Sequence, residues 1–383
     1  MSHTSYIEIS KSALQANISF IQDVIGDQCE LVAVVKGNAY GHGLRSYVPL
    51  AYECGIKSFA VFSVYEAKKV VDTQLHMNRL IVMGDIGNDD INWAIENNIE
   101  FFVFDMERLK KTIEEAQRLN KKAKIHIEIE TGLNRTGFSS KELRRVVDVV
   151  NTHPQQLIIE GVCSHLGGAE NISNYLRIKK QISNFNRQIK WLKTKEITFI
   201  KAHLACSAAI INYPKTIMDM VRVGIMQYGF WPSKEVKMAY LAKRKKTEDP
   251  LKRVISWKSK VMSTKEVKAG EYVGYGNVAM AETDMKIAIV PVGYAHGYGR
   301  SLSNQGRVLI AGLRLNIIGM VNMNMIIVDI TNTSNVKKGD EVVLIGNQHD
   351  LSISVASFSD LSDQLNYELL TRLPHDIPRI ITE

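Results

Sequence analysis

The stretch ELVAVVKGNAYGHG, Glu30–Gly43, opens with an unbroken apolar run and changes character at a single residue. Leu31 to Val35 is apolar throughout, which is typical of a strand buried on both faces in a parallel sheet. The run ends at Lys36, and glycines, an asparagine, a tyrosine and a histidine follow it. The sequence therefore predicts a buried strand that ends on an amine, an unusual position for a charged group.

Seven further runs of this kind recur before residue 230, and amphipathic segments of helical length separate them. Residues 106–119 and 140–153 are two such segments, and Asp105 and Ser139 directly before them are candidate helix N-caps. Strands that alternate with helices predict a parallel sheet, and eight units favour a (β/α)8 TIM-type barrel over a doubly wound sheet. The eight runs cover residues 31–35, 58–63, 79–84, 100–105, 123–130, 157–164, 197–204 and 220–229.

The pattern changes after Ser233. Residues 234–252 are polar and strongly charged, which predicts a linker between a barrel domain at 1–233 and a C-terminal mostly-β domain at 253–383. In the second domain, turn residues such as Lys338-Gly339-Asp340 separate apolar runs that read as antiparallel strands, and residues 354–365 read as a helix. The runs predicted as strands cover residues 254–263, 272–276, 286–294, 306–312, 314–321, 325–331 and 340–346.

Composition narrows the class of protein. A length of 383 residues favours two domains, and no apolar run reaches the roughly 18 residues of a membrane span. The N-terminus lacks the features of a secretory signal, so we expect a cytoplasmic protein without a membrane partner. The net charge is +8, and the basic residues are most concentrated in KRKK, 243–246. No aromatic residues lie among them, so we interpret this cluster as a solvated segment and not as a nucleic-acid site. The cysteines lack metal-site or disulfide spacing: Cys29, Cys54, Cys163 and Cys206.

Polar residues collect where the predicted strands end, which is the rim that carries the chemistry in a barrel of this type. Each one has an ordinary structural explanation: a lysine can extend into solvent, a histidine can be a hydrogen-bonded core residue, and a serine can cap a helix. Their convergence on one rim favours a site. The rim residues are Lys36, Tyr40, His42, Glu128, Glu130, Arg135, Ser164, His165, His203, Cys206, Ser207, Arg222, Tyr228 and Gly229.

A buried amine has a lowered pKa, because desolvation disfavours its charged form. Lys36 would then be a nucleophile toward an aldehyde, which indicates pyridoxal 5′-phosphate (PLP) or another aldehyde cofactor. Ser207, at a predicted helix start, suits a phosphate, and Arg222 is a candidate partner for the pyridine nitrogen. Reasoning from the residues alone leaves the reaction open.

Nine motifs, spread in order along most of the chain, resemble those of the bacterial alanine racemases. VVKGNAYGHG is similar to their VVKANAYGHG, TGLNRTGF to TGMxRxGF, and HLACSAA to HxANSAA. SHL and VRVGIMQYG resemble THF and VRxGIxxYG. In the second domain VGYG, PVGYAHGYGR, IIGMVNMNMIIVDIT and NYELLTRLPHDIPRI are similar to VxYG, PxGYADGYxR, IxGRVCMDxxxVDVT and NYExxxxxxxRxPRI.

The resemblance implies a PLP-dependent isomerase that interconverts L- and D-alanine with two bases, Lys36 and Tyr275. It implies a homodimer in which Tyr275 enters the partner's active site, and it implies no metal. Lys36 would bind PLP, Arg222 would face its ring nitrogen and His165 would orient Arg222. Arg135 would approach the phenolic oxygen, and the backbone of Met323 would bind the substrate carboxylate. Tyr40, Ser207, Gly224 and Tyr367 would hold the phosphate.

The chain departs from the family pattern at five positions. Glu128 stands near a lysine that is often carbamylated in the family, and we expect its carboxylate to orient Arg135. The other departures put strict alanine specificity in question, so a broader racemase acting on serine, lysine or arginine is an alternative. They are Gly37 for alanine, Ala279 for a second tyrosine, His296 for aspartate and Asn324 for aspartate.

Two further classes are less favoured. PLP-dependent amino-acid decarboxylases share the barrel-plus-β architecture but use a cysteine in the β domain, and this chain has none after Val254. PLP-binding homeostasis proteins consist of a single barrel and lack a second domain.

Overall fold

The computed structural model describes residues 3–244, 248–333, 335–355 and 366–383. The chain forms two compact units. The barrel unit comprises Ser12–Lys36 and Val48–Lys252, and the β unit comprises Met1–Lys11, Gly37–Tyr47 and Arg253–Glu383. Two short segments inside the predicted barrel bounds of 1–233 therefore belong to the β unit. Within the described residues, no helix is both long and apolar enough to cross a membrane.

The barrel unit contains eight parallel strands, β2 to β9, in the spatial order β8-β7-β6-β5-β4-β3-β2-β9. The edge strands meet through Asp219 N–H to the Ala202 carbonyl at 3.2 Å and Arg222 N–H to the Ala205 carbonyl at 3.0 Å, which closes the sheet. The prediction of an α/β barrel followed by a mostly-β domain is thereby confirmed. The strands are β2 (Glu30–Val34), β3 (Ser58–Ser63), β4 (Arg79–Asp85), β5 (Glu100–Val103), β6 (Ala123–Glu128), β7 (Leu157–Cys163), β8 (Lys201–His203) and β9 (Met220–Val223).

Side-chain caps fix the starts of the two helices predicted from sequence. Asp105 accepts a hydrogen bond from Arg108 N–H, and Ser139 forms a capping box with Glu142, so both predicted N-caps are confirmed. The helices up to the end of the barrel unit are α1 (Lys11–Ile25), α2 (Leu44–Glu53), α3 (Val64–Val71), α4 (Ile91–Glu96), α5 (Met106–Leu119), α6 (Ser140–Thr152), α7 (Tyr175–Thr194), α8 (Ser207–Asn212) and α9 (Lys234–Arg244).

Helix α9 occupies the first part of the segment predicted as a charged linker. Val236 and Tyr240 lie four residues apart on one helix face, and both are buried. The Tyr240 ring meets Phe20 edge-on at 5.2 Å and lies 5.4 Å from Trp231. The charged segment therefore contains a helix of the barrel unit, and its buried residues Val236 and Tyr240 pack that helix against the rest of the unit. Lys245 and Lys246 of the KRKK cluster lie outside the described residues.

The β unit contains two sheets. The larger has the order β14-β13-β16-β10-β1-β18, with β17 paired to β16, and the smaller has the order β11-β12-β15. Their pairings are antiparallel except for β1 with β18, and Trp257 of β10 is fully buried. The elements are β1 (Ser5–Ser10), β10 (Ile255–Lys260), β11 (Ser263–Val267), β12 (Met285–Val290), β13 (Arg307–Ile310), β14 (Leu313–Asn316), β15 (Ile326–Asp329), β16 (Glu341–Gln348), β17 (Leu351–Ile353), α10 (Asn366–Thr371) and β18 (Arg379–Thr382).

The strand predicted at 272–276 is wrong. Gly274 and Gly276 have φ values of 75° and 77°, which bend the backbone into a loop rather than an extended strand. Only Tyr272 forms a bridge, to Met280. Most of the helix predicted at 354–365 lies outside the described residues, from 356 onward.

Candidate active site

Lys36 follows strand β2 at the carboxyl end of the barrel strands, where the sequence places it. The carbonyl of Val34, two residues earlier, accepts hydrogen bonds from Gln227 Nε2 at 3.1 Å and Tyr228 Oη at 3.0 Å. Both donors are buried. These bonds fix the backbone at the end of strand β2. They therefore also fix the direction in which the Lys36 side chain leaves the strand.

The Lys36 side chain reaches solvent, and its pKa is nevertheless lowered, as expected for an amine that is partly desolvated at a strand end. Protein atoms crowd the rim and partly desolvate the ammonium, and the positive charges of Arg135 and Arg222 add to the effect. The Glu66 carboxylate opposes them and raises the pKa in part. The outcome is an amine that is accessible to a ligand and loses its proton more readily than a free lysine.

Arg222 is buried, at 5% exposure, and its guanidinium is held in one orientation. Nη2 donates to the Ser164 carbonyl at 2.7 Å, and Nη1 donates to the His203 carbonyl at 3.3 Å and to His203 Nδ1. The group lies 5.7 Å from the centre of the Phe102 ring. The acceptors of its hydrogen bonds belong to His203 and Ser164, and not to His165, which was expected to orient it.

A chain of hydrogen bonds extends from Arg222 into the barrel. An arginine only donates, so His203 Nδ1 accepts and its Nε2–H donates to His126 Nδ1 at 2.9 Å. His126 Nε2–H then donates to Glu100 at 2.8 Å, and Glu100 pairs with Arg79 at 2.6 Å. Burial and the Arg222 charge lower the pKa of His203 well below its ordinary value, which fits this neutral tautomer.

Sequence reasoning missed this chain because it considered only strand ends. His203 was identified at the rim without a role, and Glu100 and His126 lie inside apolar runs. A glutamate in EFFVFD and a histidine in AKIHIEIE were the available signals, since a buried polar side chain needs a buried partner.

Glu128 is 5% exposed, and burial raises the pKa of its carboxyl group. The carboxylate accepts a hydrogen bond from Thr136, the neighbour of Arg135, and the charges of Arg222 and Arg135 also stabilise its ionised form. Arg135 itself is exposed. The carboxylate therefore acts on Arg135 through charge and through the adjoining residue.

His165 is partly exposed and belongs to the same cluster of charges. Burial, followed by the positive charges of Arg222, Arg135 and Lys36, lowers the pKa of its imidazole to about 3. It is therefore neutral at physiological pH and can exchange hydrogen bonds without adding a further positive charge to the rim.

Ser207 and Gly224, both predicted to hold a phosphate, lie together. Ser207 is the first residue of α8 and is 6% exposed, and its Oγ accepts a hydrogen bond from Gly224 N–H at 3.0 Å. Cys206, the residue before Ser207, pairs with Arg222, so a hydroxyl and a backbone amide lie beside the backbone of a buried cation. This donor set suits a phosphorylated aldehyde.

The residues after Lys36 belong to the β unit and form a left-handed turn, with φ between 50° and 62° from Gly37 to Tyr40. Gly41 is needed because a Cβ there would lie 1.9 Å from the Leu370 carbonyl oxygen. Arg379 Nη2 donates to the Gly41 carbonyl at 2.9 Å. Tyr40 is buried in this unit, and the side chain of Tyr367, in α10, lies outside the described residues.

Tyr275 and Met323 lie in the β unit and are both exposed, Tyr275 at 71%. Tyr275 stands between Gly274 and Gly276 at the tip of its loop. The Met323 carbonyl accepts a hydrogen bond from Ala295 N–H at 2.9 Å.

Besides Gly37, three of the departures from the family pattern lie in the β unit. Ala279 packs against a cluster of buried apolar residues, so its methyl group belongs to a small core. Asn324 is exposed. His296 Nδ1 accepts from Gly293 N–H at 3.2 Å.

Known proteins of one family match this chain over nearly its whole length. Residues 9–232 match the family model of the alanine racemase N-terminal domain, and residues 254–381 match that of the C-terminal domain. An alanine racemase of Clostridium perfringens is 35% identical over 98% of this chain and 94% of its own length. One from Leptospira interrogans is 30% identical over 100% of this chain and 96% of its own length.

Solved structures of alanine racemases also resemble this chain over its full length. The alanine racemase from Bacillus anthracis with bound L-Ala-P has a TM-score of 0.91 at 30% identity, covering 100% of this chain and 96% of that one. The alanine racemase from Bartonella henselae with covalently bound pyridoxal phosphate has a TM-score of 0.85 at 27% identity, covering 100% of both chains. Since both family models and full-length relatives match, the chain belongs to the alanine racemase family.

Proposed function

We propose that the protein is a PLP-dependent racemase that interconverts L- and D-alanine with Lys36 and Tyr275 as its two bases. The observation that carries the proposal is the Lys36 amine, which is accessible at the rim of a parallel barrel and has a pKa lowered by desolvation and by Arg135 and Arg222. An amine of this kind is needed both to bind an aldehyde and to accept a proton at neutral pH.

The residues of the rim fit PLP. When bound, the cofactor withdraws electrons from the substrate Cα and makes its proton removable. Lys36 would hold the cofactor covalently, and Arg222 would face its ring nitrogen. Because Arg222 does not readily give up a proton, the ring would stay less electron-withdrawing, which limits side reactions. The phosphate would be held by Tyr40, Ser207, Gly224 and Tyr367.

Two bases of different chemical type divide the proton transfer. Lys36 Nζ removes or returns the Cα proton on one face of the substrate, and Tyr275 Oη does so on the other. Arg135 would approach the phenolic oxygen of the cofactor, His165 would support this cluster as a neutral group, and the Met323 backbone would bind the substrate carboxylate.

The active enzyme is a cytoplasmic homodimer in this proposal. Along the sequence its domains are 1–233 and 253–383, except that Met1–Lys11 and Gly37–Tyr47 belong to the β unit. Tyr275 would complete the partner's site, which is supported by its 71% exposure at a loop tip in the single chain. An exposed tyrosine that has to work as a base needs a second surface around it.

Chiral chromatography of the PLP-loaded enzyme with L-alanine tests the function. We expect D-alanine from the wild type and none above background from Lys36→Met or Tyr275→Phe. Mixing the two inactive variants tests the shared site, because a mixed dimer has one intact site, so about a quarter of wild-type activity should return after subunit exchange. Loss of Lys36 without loss of racemisation would contradict the proposal.

A further inference from the structure

Helix α7 carries a buried glutamine that hydrogen-bonds a rim loop. Gln181 is 1% exposed; its Nε2 donates to the His165 carbonyl at 3.2 Å and its Oε1 accepts from Gly167 N–H at 3.1 Å. Both the amide nitrogen and the amide oxygen of Gln181 therefore form hydrogen bonds with the loop that follows β7. At a core-facing position between Ile178 and Phe185, such a group is costly unless both ends are paired.

The same face of α7 holds the neighbouring rim loop. Asn184 Nδ2 donates to the Thr131 carbonyl at 3.1 Å, and Arg177 Nη2 donates to the Gly132 carbonyl at 3.0 Å. Positions 177, 181 and 184 are spaced i, i+4 and i+7, which places them on one side of the helix.

The two loops also meet directly. Thr131 Oγ1 and Ser164 Oγ are 2.9 Å apart, and both side chains are buried. The Glu130 carboxylate accepts from Asn134 N–H at 2.8 Å and orders the backbone just before Arg135. The loop of Arg135 and the loop of His165 are thus fastened to one rigid element.

We propose that Gln181 is a positioning residue for catalysis: through the backbone of His165 and Gly167 it fixes the rim around Lys36. The proposal rests on the proposed racemase function. His165 and Arg135 lie in the charge cluster that surrounds the Lys36 amine. Displacing such groups by about 1 Å can slow a reaction by about a hundredfold even when the altered residue does not touch the reacting atoms.

The chain supplies a matched control on the same helix. Gln188, seven residues later, is also buried, but its Nε2 donates to Ser140 Oγ at 2.6 Å at the start of α6. Among the described residues, it has no hydrogen bond to either rim loop. Gln188→Met removes one buried glutamine from the same face of α7 without loosening the loops.

The experiment compares holoenzymes of the wild type, Gln181→Met and Gln188→Met. We expect both variants to lower the midpoint of urea unfolding, and only Gln181→Met to lower kcat for L-alanine, by about 10- to 100-fold, with a shifted pH profile of kcat/KM. In Gln181→Glu the burial of the site favours the neutral carboxyl group, whose C=O can accept from Gly167 N–H and whose O–H can donate to the His165 carbonyl, so this variant should recover part of kcat. Equal kcat values for the two methionine variants would overturn the proposal.

Hydrogen exchange gives a readout that is independent of activity. The Gly167 amide should be protected in the wild type and in Gln188→Met, and should exchange at least about tenfold faster in Gln181→Met. A wild type without racemase activity would refute the proposed function, whereas unchanged Gly167 exchange would refute the positioning role. Should Gln181→Met fail to fold, Gln181→Glu supplies the same comparison of kcat with Gln188→Met.

Discussion

Glu100 stabilises the buried chain of hydrogen bonds that ends at Arg222. Removing the charge of Glu100 should strongly lower the free energy of unfolding. Its carboxylate is 3% exposed and lies 2.6 Å from Arg79 Nη1 and 2.8 Å from His126 Nε2. In Glu100→Gln the amide oxygen can keep both hydrogen bonds, so the variant isolates the charge. Removing one partner of a buried ion pair costs 3–5 kcal/mol in general. Arg79 keeps Glu30 at 2.9 Å, so we expect the lower end, about 3 kcal/mol, or about a hundredfold in the unfolding constant.

The pH dependence gives a second readout with a definite sign. Burial alone would raise the pKa of Glu100, but His126 and Arg79 lower it overall. Its stabilisation is therefore complete above the unfolded pKa of about 4.3 and disappears as the pH falls through the lower folded value. The difference in free energy of unfolding between wild type and Glu100→Gln should be constant from about pH 6 to 8 and should shrink below about pH 4.

Urea unfolding followed by tryptophan fluorescence measures both effects. Glu160→Gln is the matched control, because Glu160 contacts the same Arg79 nitrogen at the longer distance of 3.5 Å. It should cost clearly less than Glu100→Gln. Equal losses for the two variants, or a difference that does not change at acid pH, would refute the reasoning.

Three further predictions concern the rim and its support. Glu128→Gln should lower kcat about tenfold, because Arg135 loses a carboxylate that acts on it through charge; steady-state kinetics with unchanged turnover would show that the role is wrong. Arg222→Glu should increase transamination products, measured by mass spectrometry of long incubations, and no increase would dismiss the idea that this arginine limits side reactions. Ser139→Ala should lower the free energy of unfolding by about 1 kcal/mol while kcat stays at the wild-type value, and a change in kcat would contradict a purely structural cap.

The barrel could be predicted from the sequence because short stretches of sequence mark its strands and helices. Five apolar residues before Lys36 mark a buried strand, and Asp105 and Ser139 mark helix starts within single turns. The N-terminal strand β1 was missed, although the alternation in SYIEIS is a strand signal. Its partners, β10 and β18, lie at the opposite end of the chain, so the sequence around it gave no reason to place it in the β unit.

The site was predictable only in part, for a related reason. Residues at strand ends share one rim, so Lys36, Arg135 and Arg222 could be brought together from position alone. The contacts that orient them could not, because they depend on which side chains face each other inside the barrel. His203 rather than His165 holds Arg222, and Gln181 reaches the rim from a helix.

Hydrogen exchange at the substrate Cα in heavy water is the decisive assay for racemisation by this protein. The PLP-loaded enzyme is incubated with a panel of L-amino acids, chiral chromatography measures the D-isomer, and mass spectrometry measures deuterium at Cα. We expect D-alanine as the dominant product, with deuterium at its Cα. Comparable turnover of serine, lysine or arginine would replace alanine specificity by a broader range, and no exchange at any Cα would contradict the racemase account.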